Sequence, residues 1–118
     1  MVELRRERCV ACRRDSPRVT DEEVSELRLL VPEWGLSEED GIRRLDRTFQ
    51  AGDFAGAIEF ADRVGEEAEA QGHHPRLVVE WGRVNVAWWT HKIKGLHRND
   101  FIMAAKTDEI ATRLQSTQ

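Results

Sequence analysis

The hydrophobic periodicity of this sequence changes at Pro75, and that change constrains the fold more than any other feature. Before it, residues 54–70 repeat apolar side chains at steps of three and four, which is the pattern of one face of an α-helix. After it, "RLVVEW" and "RVNVAWWT" alternate apolar and polar residues on either side of Gly82, as two strands joined by a tight turn do. Asp53 is well placed as the N-cap of the helix. The helix residues expected to face the core are Phe54, Ala57, Ile58, Ala61, Val64 and Ala68, and those of the second strand are Val84, Val86 and Trp88.

Two further helices and a second hairpin are predicted from the rest of the chain. Thr20 and Glu23 are spaced as a capping box, and the short helix that they open ends at Pro32. The run "IRRLDRTFQ" at 42–50 alternates like a strand, and residues 34–36 supply its hairpin partner. A final helix runs from about Arg98 to Leu114. The residues expected to face the core are Val24, Leu27 and Val31 in the first helix, Leu45 and Phe49 in the strand, and Phe101, Ala105, Ile110, Ala111 and Leu114 in the last helix.

The order of these elements, α-β-β-α-β-β-α, predicts an α+β fold. Because both strand pairs are hairpins, the sheet should be four-stranded and antiparallel, with the helices packed on one face. A chain of 118 residues with 40% hydrophobic content has room for one such core. We therefore predict a single domain at 21–118, preceded by an N-terminal arm at 1–20.

Composition limits the cellular setting and the class of protein. No apolar run approaches the roughly 20 residues of a membrane-spanning helix, and "MVELRRERC" lacks the apolar core of a signal peptide, so a cytoplasmic protein is expected. The first 18 residues carry six arginines against three acidic residues, although the whole chain has a net charge of −4. A solvated arm explains this better than a nucleic-acid interface. Cys9 and Cys12 form a lone CxxC, which is a weak indication of zinc.

A cluster of titratable residues is expected at one rim of the sheet. Glu69 and His73 are four residues apart, so a helix that reaches them would place both on one face. Pro75 forces His74 out of helical geometry where the chain turns from helix to strand. A hairpin turn centred on Gly82 would place His91 opposite residue 73, and Asp100, in the first turn of the last helix, would return toward His91 and orient it. The predicted cluster consists of Glu69, His73, His74, His91 and Asp100.

Each member also has a purely structural interpretation. His73 or His74 alone could be a cation at a helix C-terminus, and Asp100 an acid in the first turn of its helix. His91 could be a surface residue at the end of a strand, and Trp89 could be sheet surface or an oligomer contact. His97 is expected to be a helix cap or a surface residue.

The residues also match a known family. The run "HHPRLVVEWGRVNVAWWTHKIKGLHRND" resembles the signature of the pterin-4a-carbinolamine dehydratases: a Glu four residues before His-His-Pro, an aromatic residue six after the Pro, Thr-His closing the next strand, then Gly-Leu and an Asp. The resemblance continues upstream through "LDRTFQAGDFAGAIEF" to Trp34 and covers roughly residues 21–114. The opening "CVACRRDSPRVTDEE" is similar to the bacterial branch associated with phenylalanine hydroxylase.

This resemblance implies an enzyme that removes water from 4a-hydroxytetrahydrobiopterin, giving quinonoid dihydrobiopterin for reuse by phenylalanine hydroxylase. Neither a metal nor a cofactor is expected, because the pterin is the substrate. The chemistry suits imidazoles, since the hydroxyl leaves as water while a ring nitrogen loses its proton. The family implies catalytic roles for His73, His74 and His91, supporting roles for Glu69 and Asp100, and substrate binding by Pro75, Trp89, Thr90, Lys92 and Trp34.

Several positions depart from the family pattern and lie where the side chains of the pocket are expected to differ: Ala51, Gly72, Trp89, Lys92 and His97. Two other functions stay open. A metal-dependent hydrolase could use His73, His91 and a carboxylate, although the adjacent His73 and His74 are poor joint ligands. A protein-binding or transcriptional-regulatory module is the second, because mammalian relatives are dimerisation partners of a homeodomain transcription factor. The family implies a homodimer or homotetramer, and direct binding to nucleic acid or membrane is not expected.

Overall fold

The computed structural model describes residues 3–11 and 13–116 and contains three helices and four strands within them. In chain order the elements are α1 (Asp21–Arg28), β1 (Gly35–Glu39), β2 (Ile42–Gln50), α2 (Phe54–Gln71), β3 (Arg76–Glu80), β4 (Arg83–Trp88) and α3 (Arg98–Ser116). Short 3₁₀ turns lie at Leu4–Arg6 and His91–Ile93. The predicted order of helices and strands is confirmed.

The strands form one antiparallel sheet in the order β1-β2-β4-β3. Strands β2 and β4 are therefore central, and α2 and α3 pack across one face of the sheet. The α+β fold and the four-stranded antiparallel sheet predicted from the sequence are confirmed. Within the described residues no helix is both long and apolar enough to cross a membrane.

The helix ends form as the local sequence predicts. In α1 the Thr20 hydroxyl accepts a hydrogen bond from the Glu23 amide at 3.1 Å, and the Glu23 carboxylate accepts one from the Thr20 amide at 2.9 Å. The Asp53 carboxylate caps α2 by accepting a hydrogen bond from the Gly56 amide at 2.7 Å. The same helix ends at Gly72, whose φ of 65° lies in the left-handed region that glycine adopts without strain.

The core lies between the helices and the inner face of the sheet. Trp88 and Val86 of β4, Leu45 of β2 and Phe101 of α3 are fully buried there. Two residues predicted to face this core do not: Phe54 and Ile58 of α2 are 50% and 42% exposed. The buried residues of α2 are Ala57, Phe60, Val64 and Ala68. Since successive helical residues are about 100° apart, Phe54 and Ile58 lie at the edge of that stripe.

The second hairpin differs from its predicted register. Arg76 pairs with Ala87 and Glu80 with Arg83, so the turn consists of Trp81 and Gly82 rather than being centred on Gly82. Strand β4 also ends at Trp88, earlier than the alternating pattern indicates. The chain leaves the sheet through an isolated bridge between Thr90 and Gly95, and His91 opens the 3₁₀ turn. The prediction that His91 pairs across the hairpin with residue 73 is therefore wrong.

The N-terminal segment packs on the domain instead of extending into solvent as predicted. Leu4 is buried in the main core, and the 3₁₀ turn that holds it lies against α3. The Lys106 ammonium donates to the Arg5 carbonyl at 2.8 Å, and Arg5 pairs with Glu109 at 2.9 Å. Arg5 thus has an acidic partner on α3, while the buried apolar Leu4 supplies the driving force. The division between residues 1–20 and 21–118 stays a prediction.

Replacing Asp53 with Ala should lower the free energy of unfolding by about 1 kcal/mol, because the Gly56 amide loses its capping acceptor. Asp53→Asn should keep most of the stability, since Asn caps nearly as well. Asp62→Ala, an exposed acid in the middle of the same helix, is the matched control. Urea unfolding measures all three, and equal losses for Asp53→Ala and Asp62→Ala would contradict the capping role.

Candidate active site

One cavity of about 490 Å³ lies where the ends of α2, β4 and α3 meet the N-terminal segment. Its wall is formed by residues 9–11, residues 71–74, residues 90–92 and Asn99. This cavity, called the histidine cavity below, brings together His73, His74 and His91, the three histidines that the sequence singled out.

A buried carboxylate organises one side of this cavity. Asp100, in the first turn of α3, has 0% exposure, and its Oδ1 lies 2.6 Å from Nε2 of His73. The prediction that Asp100 orients His91 is therefore wrong, because Asp100 holds His73 instead. The reason is that His73 follows the left-handed Gly72 and turns inward, while His91 lies beyond the end of β4.

The second oxygen of Asp100 has two further donors. Its Oδ2 accepts hydrogen bonds from the Thr90 hydroxyl at 2.8 Å and from the backbone amide of His97 at 2.9 Å. A buried carboxylate is costly unless donors satisfy its oxygens, and these three meet that requirement. Asp100 thereby joins the α2–β3 junction, the end of β4 and the start of α3.

The His73 ring is held in one orientation. It stacks on Trp88 with ring centroids 5.8 Å apart and planes 9° apart. In the neutral tautomer that donates from Nε2 to Asp100, the lone pair lies on Nδ1, which makes no hydrogen bond with residues 3–11 or 13–116. A base with its second nitrogen fixed by a carboxylate is a common arrangement for proton transfer.

Glu69 was predicted to share a face with His73, but its side chain contacts His74. The Glu69 carboxylate lies 2.8 Å from Nε2 of His74, and both side chains are exposed. Because α2 ends at Gly72 and the left-handed backbone of this glycine redirects the chain, His74 rather than His73 lies beside Glu69. The two neighbouring histidines therefore have different surroundings, one buried on Asp100 and one at the surface.

His91 reaches the cavity from the 3₁₀ turn and has an aromatic neighbour. Its ring centroid is 4.7 Å from that of Trp89, and the Arg44 guanidinium lies 4.0 Å over the Trp89 ring. Trp89 is half-buried, whereas His91 and Lys92 are exposed. Trp89 thus packs between His91 and Arg44 and restricts the orientation of the His91 ring.

The structure does not bring every predicted substrate-binding residue to the histidine cavity. Thr90 and Lys92 line it. Pro75 lies in the adjoining groove, which Glu69 and His74 also line. Trp34 is in the core, where its indole nitrogen donates to Asp108 at 2.8 Å.

Sequence reasoning missed the residues of the cavity that come from outside the predicted cluster, namely Cys9, Val10, Ala11, Gln71 and Asn99. A polar residue next to Asp100 was the only signal for Asn99. Its partner is the backbone of Val10, 89 positions away, which no local pattern indicates. Cys12, the other half of the CxxC, lies outside the described residues, and residues 3–11 and 13–116 hold no group of three metal-ligating side chains.

His97 is a helix cap, one of its two predicted interpretations. Its Nδ1 accepts a hydrogen bond from the Asn99 amide at 3.1 Å, so this nitrogen must be unprotonated. Burial lowers the pKa of His97 below its ordinary value, and the charge of nearby Asp100 opposes that shift only in part. The His97 amide in turn donates to the Asp100 carboxylate, and the two bonds form a capping box with a histidine as cap.

Comparisons with known proteins all point to the family that the sequence resembles. A sequence model of the family described as Pterin 4 alpha carbinolamine dehydratase matches residues 17–110. A Gloeobacter violaceus protein provisionally named pterin-4-alpha-carbinolamine dehydratase 1 is 58% identical over 111 residues, which is 94% of this chain and 96% of that protein. A Nitrosococcus oceani protein with a provisional name of the same kind is 53% identical over 93% of this chain and 97% of its own.

Solved structures show the same fold. A transcriptional coactivator/pterin dehydratase from Brucella melitensis has a TM-score of 0.72 and 32% identity, over 80% of this chain and 99% of that chain. A pterin dehydratase-like protein identified as a RuBisCO assembly factor in the alpha-carboxysome has a TM-score of 0.56 and 21% identity, over 67% of this chain and 89% of its own. At that identity the second similarity shows the fold alone.

Replacing Thr90 with Val should lower the free energy of unfolding by about 2 kcal/mol, because Asp100 loses a hydrogen bond to a buried charge. Thr90→Ser keeps the hydroxyl and should cost clearly less. Urea unfolding at neutral pH measures both variants. A Val variant as stable as the wild type would show that Thr90 does not support the carboxylate.

The histidine cap predicts a specific pH dependence. Because the pKa of His97 is lower in the folded state, the unfolded chain binds more protons, and stability is lost as the pH falls below about 6.5. His97→Asn retains a capping acceptor without a titrating group. Between about pH 7.5 and about pH 5.5 the wild type should therefore lose more unfolding free energy than the Asn variant. Parallel losses in urea titrations would exclude this role.

Proposed function

Because the chain belongs to the pterin-4a-carbinolamine dehydratase family, whose members are hydro-lyases, we propose that it converts 4a-hydroxytetrahydrobiopterin to quinonoid dihydrobiopterin and water by histidine acid–base catalysis. The observation that carries this proposal is the His73–Asp100 pair in a cavity that His74 and His91 also line. The reaction needs one proton removed and one delivered on the same flat substrate, and imidazoles serve both steps near neutral pH.

His73 is the base in this proposal. Its Nδ1 takes the proton of a ring nitrogen, the electron pair of that N–H bond forms a double bond to the 4a carbon, and the bond from that carbon to the hydroxyl oxygen breaks. The imidazolium formed at His73 is stabilised by Asp100, 2.6 Å from the other ring nitrogen. When a base beside a buried carboxylate takes up a proton, the attraction between the two charges stabilises the protonated base.

The departing hydroxyl takes a proton from an exposed imidazole, His74 or His91, and leaves as water. Both line the cavity near solvent, which returns the proton after each turnover. Glu69 orients His74, and Trp89 orients His91. Lys92, which lines the same cavity, adds a cation that suits a polar aromatic ring system. Trp89 is not among the residues that line the cavity; it packs against His91 and Arg44.

The proposed reaction needs no metal and no further cofactor, since the pterin is the substrate. It would regenerate the pterin used by phenylalanine hydroxylase, which gives the two enzymes a functional link through a shared small molecule.

A homodimer or homotetramer fits the exposed edge of the sheet: β3 pairs only with β4 within the described residues, and Trp81 at its end is 72% exposed.

A second candidate function is a protein-binding or transcriptional-regulatory module on the same fold. The Brucella melitensis relative, described as both coactivator and pterin dehydratase, supports this alternative. Alanine at His73 or His91 separates the two functions, because a regulatory phenotype that depends on a surface would persist without either imidazole.

The decay of enzymatically generated 4a-hydroxytetrahydrobiopterin, followed by ultraviolet absorbance with a chelator present, tests the dehydratase. Wild type should accelerate the decay, and His73→Ala and His91→Ala should each lose about 10²-fold or more of the acceleration, because each removes a positioned acid or base. His91 is exposed, so its loss should leave the fold intact. Arg113→Ala, on the exposed side of α3, is the matched control and should behave as wild type.

Two results would contradict the proposal. A wild-type protein that decays the substrate no faster than buffer would exclude the dehydratase. Acceleration that the chelator abolishes would instead favour the metal-dependent alternative. Unfolding curves recorded for each variant distinguish lost catalysis from lost structure, which matters for His73 because its removal leaves a buried carboxylate with one donor fewer.

A further inference from the structure

We infer that residues 7–11 form a strap that completes the histidine cavity and holds the bound pterin, and that Asn99 is the residue that positions it. This inference rests on the proposed function, because it assigns a role in substrate binding at the same site. The family model matches residues 17–110, so the strap lies just before the matched region. Residues 9–11 nevertheless line the cavity beside all three histidines.

Asn99 fastens the strap with both ends of its amide. Its Oδ1 accepts a hydrogen bond from the Val10 amide at 3.0 Å, and its Nδ2 donates to the Val10 carbonyl at 2.7 Å. Asn99 is only 2% exposed, so these bonds form away from competing water. The residue also directly precedes Asp100, so a single turn of α3 fixes both the strap and the His73 ring.

Contacts on either side of Val10 attach the strap to two helices. The Cys9 amide donates to the Gln71 side chain, the last residue of α2, at 2.9 Å. Arg98 makes a paired contact with the Glu7 carboxylate at 2.9 and 2.7 Å, and this hydrogen bonding lowers the pKa of Glu7. The buried Leu4 holds the chain before the strap. The strap thus contacts the C-terminal end of α2, which leads into His73 and His74, and the first turn of α3, which carries Asp100.

The side chains that the strap presents suit binding rather than proton transfer. Val10 lines the cavity and is 62% exposed, although its backbone is fixed on both sides. An ordered apolar side chain at a cavity rim gains free energy when a ligand covers it. A wall of this kind contributes equally to binding the substrate and the transition state, so loosening it should raise KM and leave kcat nearly unchanged.

Steady-state kinetics of three variants test the strap. Asn99→Ala removes the clamp, Val10→Ala trims the exposed side chain without touching the clamp, and Arg98→Ala loosens the strap from outside the cavity. Asn99→Ala should raise KM about tenfold with kcat within about twofold of wild type, and the other two should raise KM by smaller factors. Arg113→Ala, whose partner is Glu109, is the matched control on the same helix and should leave KM unchanged.

Amide hydrogen exchange supplies a measurement that does not depend on activity. The amides of Cys9 and Val10 are held by Gln71 and Asn99, so they should exchange slowly in wild type. Adding 7,8-dihydrobiopterin, the stable isomer of the quinonoid product that lacks the 4a-hydroxyl and is not a substrate, should slow them further. In Asn99→Ala the Val10 amide should exchange quickly with and without the pterin.

The outcomes separate this inference from the proposed function. If wild type accelerates dehydration but the strap variants leave KM unchanged, the inference is wrong and the function stands. A fall in kcat instead of a rise in KM for Asn99→Ala would also overturn it, because the residue would then act through Asp100. If wild type has no dehydratase activity, the proposed function is wrong, and exchange decides the strap: protection by dihydrobiopterin supports it and no protection overturns it. Because Val10 is exposed, Val10→Ala should fold normally, and it keeps the kinetic test valid if Asn99→Ala fails to fold.

Discussion

The structure around the candidate site depends on one buried charge, the carboxylate of Asp100. It lies at the start of α3, and its oxygens receive hydrogen bonds from His73, Thr90 and the His97 amide. These donors come from the α2–β3 junction, from the end of β4 and from the helix cap. A buried charge costs free energy unless hydrogen-bond donors surround it, so the carboxylate fixes how the three segments meet. The orientation of His73 and the capping of α3 are therefore parts of one hydrogen-bond network.

A left-handed glycine explains how two adjacent histidines acquire different surroundings. The φ of 65° at Gly72 ends α2 and redirects the chain, so that His73 turns toward Asp100 and His74 stays at the surface beside Glu69. On a regular strand the two would point to opposite faces of the sheet, and on a helix they would diverge by about 100°. The junction instead lets both line one cavity while only one is buried. This difference supports different roles for the two imidazoles in proton transfer.

Local sequence patterns predicted the helices, the hairpins and the histidines of the cavity, because periodicity, caps and turns act over a few residues. They failed for the partners of those histidines. Asp100 lies 27 positions from His73, and the pairing depends on where β4 ends and on the bridge between Thr90 and Gly95. The register of the hairpin differs from the predicted one, and the early end of β4 removes His91 from the ladder. The charge of the N-terminal segment indicated a solvated arm, whereas one buried leucine and the amide of Asn99 hold it to the domain.

The first turn of α3 serves two chemically separate tasks. Asp100 acts on the ring of His73, the proposed base, whereas Asn99 acts on the backbone of Val10 and hence on the wall of the cavity. Neighbouring residues on a helix point about 100° apart, so one turn can direct one side chain toward His73 and another toward the strap. Under the inferred role of residues 7–11 in binding the pterin, changes in this strap would alter how the substrate fits without disturbing the buried carboxylate. The His73–Asp100 pair would then retain the proposed acid–base chemistry, and the N-terminal segment would adjust the fit of the substrate.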